Sequence, residues 1–362
     1  MKPEFQAALF FLPEDDIAGI APLGAGNIND TYAVTLRSGE RRILQRLNPS
    51  VFQDPHAVMR NIRIVLDHLR REIQNETSWG NKFTVLSLYT GKSGDWFAAR
   101  DGSAWRLMSM VRDSITCSSV SDPRQAKKLG RGLGFFHRLL SNLDPEQLVD
   151  TLPDIHNTAK YLYQFDKIIS LRGQPATVQA EFCSSFIQQR RQLVNILEDN
   201  KKKLRSGVIH GDPKVDNFLF DRKGKRVISL IDLDTIKSGL LLHDLGDALR
   251  SCCNSGGEAS HEPEKIYFDP DLFGSWLAGY FTEAGFLLNK IDREHIVDSV
   301  QLITFELGLR FYTDYLDGNS YFNVRFPDQN IQRALVQFYL AQSIEKQSDY
   351  LQSLVREVIH TL

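Results

Sequence analysis

The spacing of apolar residues changes once along this chain, near Val111, and no other feature limits the fold as strongly. Before that point, short apolar runs alternate with turn residues. "GIAPLGAGNINDTYAVTLRSGERRILQRLN" predicts a strand, a glycine turn, a strand over 31–37, a Ser38-Gly39 turn and a strand over 42–47, an antiparallel meander. A helix follows in "DPHAVMRNIRIVLDHLRRE": Asp54 is the cap, Pro55 stands in the first turn, and Val58, Ile62, Val65 and Leu69 recur at helical spacing. "FTVLSLYT", "DWFAAR" and "AWRLMSMV" predict three more strands, separated by Gly91, Gly94, Asp101 and Gly102. From Asp122 the pattern is helical, first in "DPRQAKKLGRGLGFFHRLLSNL", then in "TVQAEFCSSFIQQRRQLVNILEDNKKKLRSG" up to a basic end and Gly207. Strands return over about 208–210, 217–221 and 227–231, and long helices occupy the rest.

At 362 residues the chain exceeds the usual size of one hydrophobic core, so an α+β protein with two lobes is expected. Residues 1–110 would form the small, strand-rich lobe and residues 111–362 the larger, mainly helical one. Their junction, at 109–112, should make a cleft, a favoured place for a ligand. A formal net charge of -2 supplies no broad positive field, which argues against nucleic acid or an anionic membrane as a partner. The one dense basic run, "KKKLR" at 201–205, is explained as a solvated helix end. "MKPEFQAALFFLPEDD" has neither the length of a membrane span nor the small-residue pattern of a cleaved leader, so a cytoplasmic protein is expected. Cys117, Cys183, Cys252 and Cys253 form neither a disulfide framework nor a zinc pattern.

The chemistry concentrates in "HGDPKVDNFLFD". Asp212 and Asn217 stand five apart, and "VISLIDLDT" then places Asp232 at the end of an apolar strand. This is the arrangement of the protein-kinase catalytic loop and its metal-holding aspartate. Phosphoryl transfer spreads negative charge over the moving group, so a protein must hold magnesium and fix an acceptor hydroxyl in line. Asn217 and Asp232 are the candidate metal ligands, because magnesium takes a few protein oxygens and completes its shell with phosphate and water. Asp212 would orient and deprotonate the acceptor, Lys214 would steady the transferred phosphate, and His210 would brace the loop. Upstream, "LGAGNINDTY" lies between two strands, which favours a phosphate-covering hairpin over a Rossmann or P-loop site; Gly24 and Gly26 would let backbone amides approach the phosphates. Arg46 is the candidate basic residue on the third strand, with no basic residue there as the alternative. No glutamate lies early in the following helix, so the usual Lys-Glu pair of protein kinases is absent.

At these residues the sequence resembles the aminoglycoside phosphotransferase and choline kinase superfamily, whose loop reads H-x-D-x-x-x-x-N followed by I-D. It resembles the N-acetylhexosamine 1-kinases in particular through "GNINDTYAV", "ILQRLN", "VFQDPHAVMRNI", "IDLDT", "DLGDALR" and "GLRFYTDYLDGNSYF". The resemblance implies a protein-kinase-like fold, ATP and Mg2+ as cofactors, and transfer to the anomeric hydroxyl of an N-acetylhexosamine by a monomer or small homo-oligomer. It sets Met110 and Val111 beside the nucleotide, and Asp234, Asp247, Arg250, Arg310 and Tyr321 around the acceptor. Asp247 and Arg250, three apart, also read as a helix ion pair near the surface. Sugar hydroxyls need donors and acceptors such as Arg310, Asp314, Asp317, Asn319 and Tyr321, whereas a quaternary ammonium needs aromatic faces and acids. "HGDPK" and the basic "VMRNIR" depart from the hexosamine pattern and leave another acceptor open: an aminoglycoside, choline or another sugar. Two further readings stand beside the kinase. The missing Lys-Glu pair fits a nucleotide-binding regulator that transfers nothing, and the clustered aspartates with His210 fit a metal-dependent phosphohydrolase.

Overall fold

The structure is a computed structural model describing residues 2–24, 28–76, 79, 83–100, 102–258 and 260–361. After a short helix α1 (Pro3–Phe11), strands β1 (Ile17–Pro22), β2 (Asp30–Leu36) and β3 (Arg41–Leu47) make the expected meander. The next three strands are shorter than the sequence pattern implies: β4 (Leu88–Tyr89), β5 (Ala98–Arg100) and β6 (Ser103–Ser109). The start of "FTVLSLYT" is drawn away from the sheet, because Thr84 N–H donates to Ile228 O at 2.6 Å and Ser229 Oγ donates to Thr84 O at 2.8 Å. All pairings are antiparallel, in the order β1-β2-β3-β6-β4, with β5 also on β6.

Strand alternation gives this sheet two different faces. Leu44, Trp105 and Leu107 pack against Ala7, Ala8 and Phe11 of α1. Ile43, Gln45, Arg106 and Met108 point the other way, into a cavity. That cavity is floored in part by Ile62 and Leu66 of α2 (Pro55–Asn75). Asp54 caps α2 as expected, accepting from the N–H groups of His56 and Ala57 at 3.0 and 3.1 Å, and the predicted stripe of Val58, Ile62, Val65 and Leu69 is buried. Each such side chain stabilises the fold by roughly 1.5–3 kcal/mol.

The remainder is mainly helical. Helices α3 (Pro123–Leu140), α4 (Thr158–Arg172), α5 (Val178–Gln189), α6 (Leu241–Cys252), α7 (Pro270–Ala284), α8 (Lys290–Glu294), α9 (Ile296–Leu316), α10 (Gln329–Lys346) and α11 (Ser348–Thr361) surround two small sheets. One sheet pairs β7 (Ser114–Ile115), β9 (Phe218–Asp221) and β10 (Val227–Leu230); the other pairs β8 (Ser206–Ile209) with β11 (Lys237–Leu240). The glycines of "LGRGLG" explain how α3 and α7 come together. A Cβ on Gly130 would lie 2.0 Å from Trp276 O, and one on Gly279 would lie 2.1 Å from Lys127 O, so each helix needs a bare backbone where it meets the other.

The long helix predicted up to Gly207 stops early. α5 ends at Gln189, where Arg190 reaches Glu345 on α10 with bonds of 2.6 and 2.7 Å, and the chain continues in short 3-10 turns. "KKKLR" therefore follows a short 3-10 turn and does not end an α-helix, with its four cations exposed and Leu204 buried. No described helix is long and apolar enough to cross a membrane.

Candidate active site

β8 brings the chain to the catalytic-loop sequence, and the loop is then held from behind by a single buried carboxylate. His210 and Gly211 donate their N–H groups to Asp244 on α6 at 2.6 and 2.8 Å, and His137 on α3 approaches the same carboxylate with Nε2 at 2.9 Å. Burial works against the charge of Asp244, but the hydrogen bond and charge of His137, together with His210 and the Gly211 N–H, outweigh it and hold the carboxyl below its ordinary range. Gly211 has φ near +86°, and a Cβ there would come within 2.6 Å of Thr235 O, so the bend into Asp212 requires glycine. His210 braces the loop, accepting from Asp212 N–H on Nδ1 at 3.3 Å and donating from Nε2 to Ile231 O at 3.0 Å.

The β9–β10 hairpin carries the next two groups. Asn217 donates its side-chain amide to Asp212 O at 2.7 Å, and its backbone carbonyl accepts Ile231 N–H at 3.0 Å. That clamp leads the chain into Asp232, which adopts a left-handed backbone, φ +67° and ψ +57°, tolerated by aspartate better than by most residues. Among the described residues, neither the Asp232 carboxylate nor Asn217 Oδ1 accepts a hydrogen bond. Burial, with Asp234 adding to it, pushes the Asp232 carboxyl above its ordinary range despite the opposing pull of Lys214. These two groups, one of them costly to leave charged without a cation, offer oxygens of the type magnesium prefers.

Two cavities meet here. The first, about 770 Å3, lies under the sheet and is lined by Gly24, Ile28, Ile43, Met108, Met110 and Val111 together with Asp212, Lys214, Asn217 and Asp232. The second lies between α6 and α9: an inner space of about 110 Å3 lined by Asp247, Arg250, Arg310 and Tyr321. It adjoins an outer chamber of about 610 Å3 that shares Arg310 and Tyr321. Asp212, Lys214 and Thr235 line both the first cavity and the inner space. Lys214 Nζ forms an ion pair with Asp212. Burial opposes its charge, yet Asp212 and then Asp232 hold the amine above its ordinary pKa, so it remains a cation.

A fold with this loop and this pair of cavities can be compared with known proteins. The sequence pattern of the phosphotransferase enzyme family matches residues 19–286. The chain belongs to this family. Solved structures agree on the protein-kinase-like fold. A microcompartment-associated aminopropanol kinase shares 17% identity at a TM-score of 0.62, over 96% of this chain and 97% of its own. A choline kinase from Cryptosporidium parvum Iowa II shares 12% identity at a TM-score of 0.57, over 94% and 92%. An amicoumacin kinase in complex with AMP-PNP, Ca2+ and amicoumacin shares 16% at 0.55, over 93% and 90%.

Within this member of the phosphotransferase enzyme family, two sequence expectations need correction. Arg46 does not enter the first cavity. Alternation along β3 turns Gln45 inward and Arg46 outward, where its side chain is 42% exposed and bonds Ser103 Oγ at 2.9 Å and Asp30 at 3.3 Å. Asp234 does not line the second cavity. It is buried in the wall of the first, paired with Arg106 and accepting from Asn29 Nδ2 at 2.7 Å. Gly26 lies outside the described residues, whereas Gly24 has φ +72° at the cavity rim.

Asp247 and Arg250 are not a surface pair. Both are buried, with Arg250 donating to Asp247 Oδ1 at 2.8 and 3.0 Å and to Glu258 at 2.6 Å. Asp247 Oδ2 is buried without a hydrogen-bond partner among the described residues. Burial raises the Asp247 carboxyl above its usual pKa although Arg250 pulls it down. The Asp314 carboxylate, at the wall of the outer chamber, is engaged within the protein: it accepts the N–H groups of Tyr321 and Phe322 at 2.8 and 3.0 Å and the Asn330 amide at 2.8 Å, which fixes the loop carrying Tyr321.

Sequence reasoning missed His156, Glu306 and Arg106. His156, with φ +63°, joins Glu306 Oε1 at 3.3 Å to Gly211 O at 3.2 Å, tying α9 to the residue before Asp212. Arg106 did leave a signal, since it is a charge in the middle of the apolar strand "AWRLMSMV".

Proposed function

We propose that this chain is an ATP- and magnesium-dependent kinase of a small hydroxylated acceptor, and that the acceptor is an N-acetylhexosamine phosphorylated at its anomeric hydroxyl. The observation that carries the reading is the shared wall: Asp212 and Lys214 line the cavity under the sheet and also the polar space between α6 and α9. A donor in one and an acceptor in the other would meet at these side chains. In this reading residues 1–110 supply the nucleotide side, with the adenine against Met110 and Val111 and the phosphates toward Gly24. Residues 111–362 supply Asp212 as the base, with Asn217 and Asp232 as the magnesium ligands. Bound magnesium would offset the charge that accumulates on the phosphates. Lys214 pairs with Asp212 in the free protein and would turn to the transferred group as the acceptor hydroxyl takes its place.

The acceptor side supports a hydroxyl-rich ligand. Arg310 is already the cation among the aromatic faces there, with its guanidinium carbon 4.9, 5.6 and 5.5 Å from the ring centroids of Tyr161, Tyr321 and Phe322. A quaternary ammonium would have to share those faces with a like charge. Asp247 Oδ2 awaits a donor. A second reading rests on that same oxygen, because an unpaired buried carboxylate accepts an ammonium as readily as a hydroxyl. An amino alcohol or aminoglycoside is therefore the alternative acceptor.

Phosphorus NMR separates the readings. The protein is incubated with ATP and magnesium and, in separate tubes, N-acetylglucosamine, N-acetylgalactosamine, glucose, choline, an aminopropanol and kanamycin. An anomeric-phosphate signal with an N-acetylhexosamine is the expected result. A phosphorylated amino alcohol or antibiotic would keep the kinase and replace the acceptor, while unaltered ATP in every tube would favour the non-transferring regulator.

A further inference from the structure

Strand β3 brings no cation into the first cavity, and α2 brings no acid to pair with one. The inward positions on β3 are Ile43 and Gln45, and the buried polar residues of α2 are Asn61, whose side chain bonds Val149 and Ile236 backbone groups at 2.7 to 3.1 Å, and His68, which bonds Leu139 O and Asn142 Oδ1 at 3.0 and 2.9 Å. Directly across the ladder from Gln45 stands Arg106 of β6, on the same face of the sheet. It is 1% exposed, and its charge is balanced by Asp234, two residues beyond Asp232. Among the residues lining this cavity, Arg106 and Lys214 are the cations, and Lys214 belongs to the wall shared with the acceptor.

Arg106 is also incompletely used. A guanidinium has five N–H donors. Nε and Nη2 bond Gln45 Oε1 and Nη1 bonds Asp234, so two donors have no partner among the described residues. The rest of the group is held rigidly. Gln45 fixes its plane from one side, and Asp234, itself clamped by Asn29 at 2.7 Å, fixes it from the other. Asn29 belongs to the glycine-rich turn, and its Oδ1 accepts Asn48 N–H at 2.9 Å. The turn over the cavity, the cation beneath it and the segment carrying Asp232 are thus one hydrogen-bonded unit. A planar fork with two free donors, fixed beside a candidate metal ligand, matches the oxygens of a polyphosphate.

We propose that Arg106 is the phosphate-gripping cation of the nucleotide site, so that the charge supplied elsewhere by a strand lysine and a helix glutamate is supplied here from the neighbouring strand, with Asp234 as the balancing acid. The proposal rests on reading this cavity as the nucleotide site, and the test is chosen to separate the two. Affinities for ATP and for adenosine are measured by calorimetry on wild type, Arg106→Lys, Arg106→Gln, the Arg106→Gln/Asp234→Asn double variant and the Gln45→Lys/Arg106→Gln double variant. The Arg106→Gln/Asp234→Asn pair replaces both charges by groups of similar shape, so no buried ion is left alone.

ATP should bind this variant about 10–100-fold more weakly while adenosine is unaffected, because only the phosphates meet the lost charge. Arg106→Lys should lose less. Gln45→Lys/Arg106→Gln, which returns the cation to β3, should recover about tenfold of ATP affinity over Arg106→Gln alone. Equal losses for ATP and adenosine would show a purely structural ion pair and overturn the proposal, as would undiminished ATP binding. Wild type that binds adenosine and ATP equally well would overturn it too, and wild type that binds neither would remove the nucleotide reading beneath it.

Discussion

The cavity under the sheet and the space between α6 and α9 share one wall, but they are built differently. The first takes its shape mainly from strand alternation and apolar side chains, with Ile43, Met108, Ile62 and Leu66 beside one buried ion pair, Arg106 with Asp234, and the loop groups Asp212, Lys214, Asn217 and Asp232. The second is made of charges that neutralise one another: Asp247 with Arg250, Glu258 with Arg250, and His156 with Glu306. Shape of the first kind tolerates many sequences, because any apolar residue of suitable volume fills an inward position. A network of buried charges does not, since each member left alone carries a desolvation cost. Selectivity between acceptors is therefore expected to reside in α6 and α9, and the nucleotide side is expected to be the more forgiving.

The contrast breaks first at the shared wall. Asp212→Asn should lower kcat by about 10^2–10^4-fold, the usual worth of a positioned general base, with the nucleotide KM little changed; ADP release with a working acceptor measures it. Undiminished turnover would remove Asp212 from the chemistry and dissolve the boundary between the two cavities. On the nucleotide side, Asn217→Ala should raise the magnesium concentration for half-maximal rate by about 10–100-fold, read from a magnesium titration at fixed ATP. Asp232→Asn suits the left-handed backbone and removes a carboxylate held above its ordinary range. Its folded pKa lies above the unfolded one, so the ionised group destabilises the metal-free protein once pH exceeds the unfolded value. The metal-free variant should melt above wild type at neutral pH, lose that advantage in acid, and gain no stability from magnesium-nucleotide.

On the acceptor side, Asp247→Asn should raise the acceptor KM by about tenfold and leave the nucleotide KM alone. If both change together, the two cavities are energetically one. The smallest effect concerns His156. Burial alone would depress its pKa, but the hydrogen bond and charge of Glu306 reverse that and hold it above the ordinary histidine value. This stabilisation is fully present below the unfolded pKa and is lost as pH rises through the folded one. His156→Gln should therefore flatten the alkaline fall in melting temperature, followed by circular dichroism between pH 6 and 9, and should narrow the pH range of activity through the lost bond to Gly211 O.

The same contrast explains what could be read from the sequence. The meander, α2 and the loop with Asp212, Asn217 and Asp232 are encoded within short windows, by period, caps and spacing. Gln45 against Arg46 was decided by strand parity, which "ILQRLN" carries but which fails if the inward residue is expected to be basic. Asp234 sits two residues from Asp232 yet lies in the wall of the first cavity, since its partners Asn29 and Arg106 come from a turn and a strand more than a hundred residues earlier. The acceptor side assembles His156, Asp247, Glu258, Glu306, Arg310 and Tyr321 from five separate stretches, and no local pattern announces such a set. Its recognition depended on the resemblance of "DLGDALR" and "GLRFYTDYLDGNSYF", and the separate expectation that Asp314 offers its carboxylate to a sugar missed that it serves the backbone.

Asp244 carries a consequence for motion. It fastens the backbone on either side of His210 to α3 and α6, whereas Gly24, Gln45 and Arg106 travel with the sheet. If the sheet rocks against the helices when nucleotide enters or leaves, breaking the bonds of Arg106 and Asn29 to Asp234, Asp212 keeps station with the acceptor and the donor alone changes its distance. The molecule then works as an anvil and a hammer, with the hydroxyl pre-aimed before each stroke and Asp244 as the bolt that keeps the anvil still.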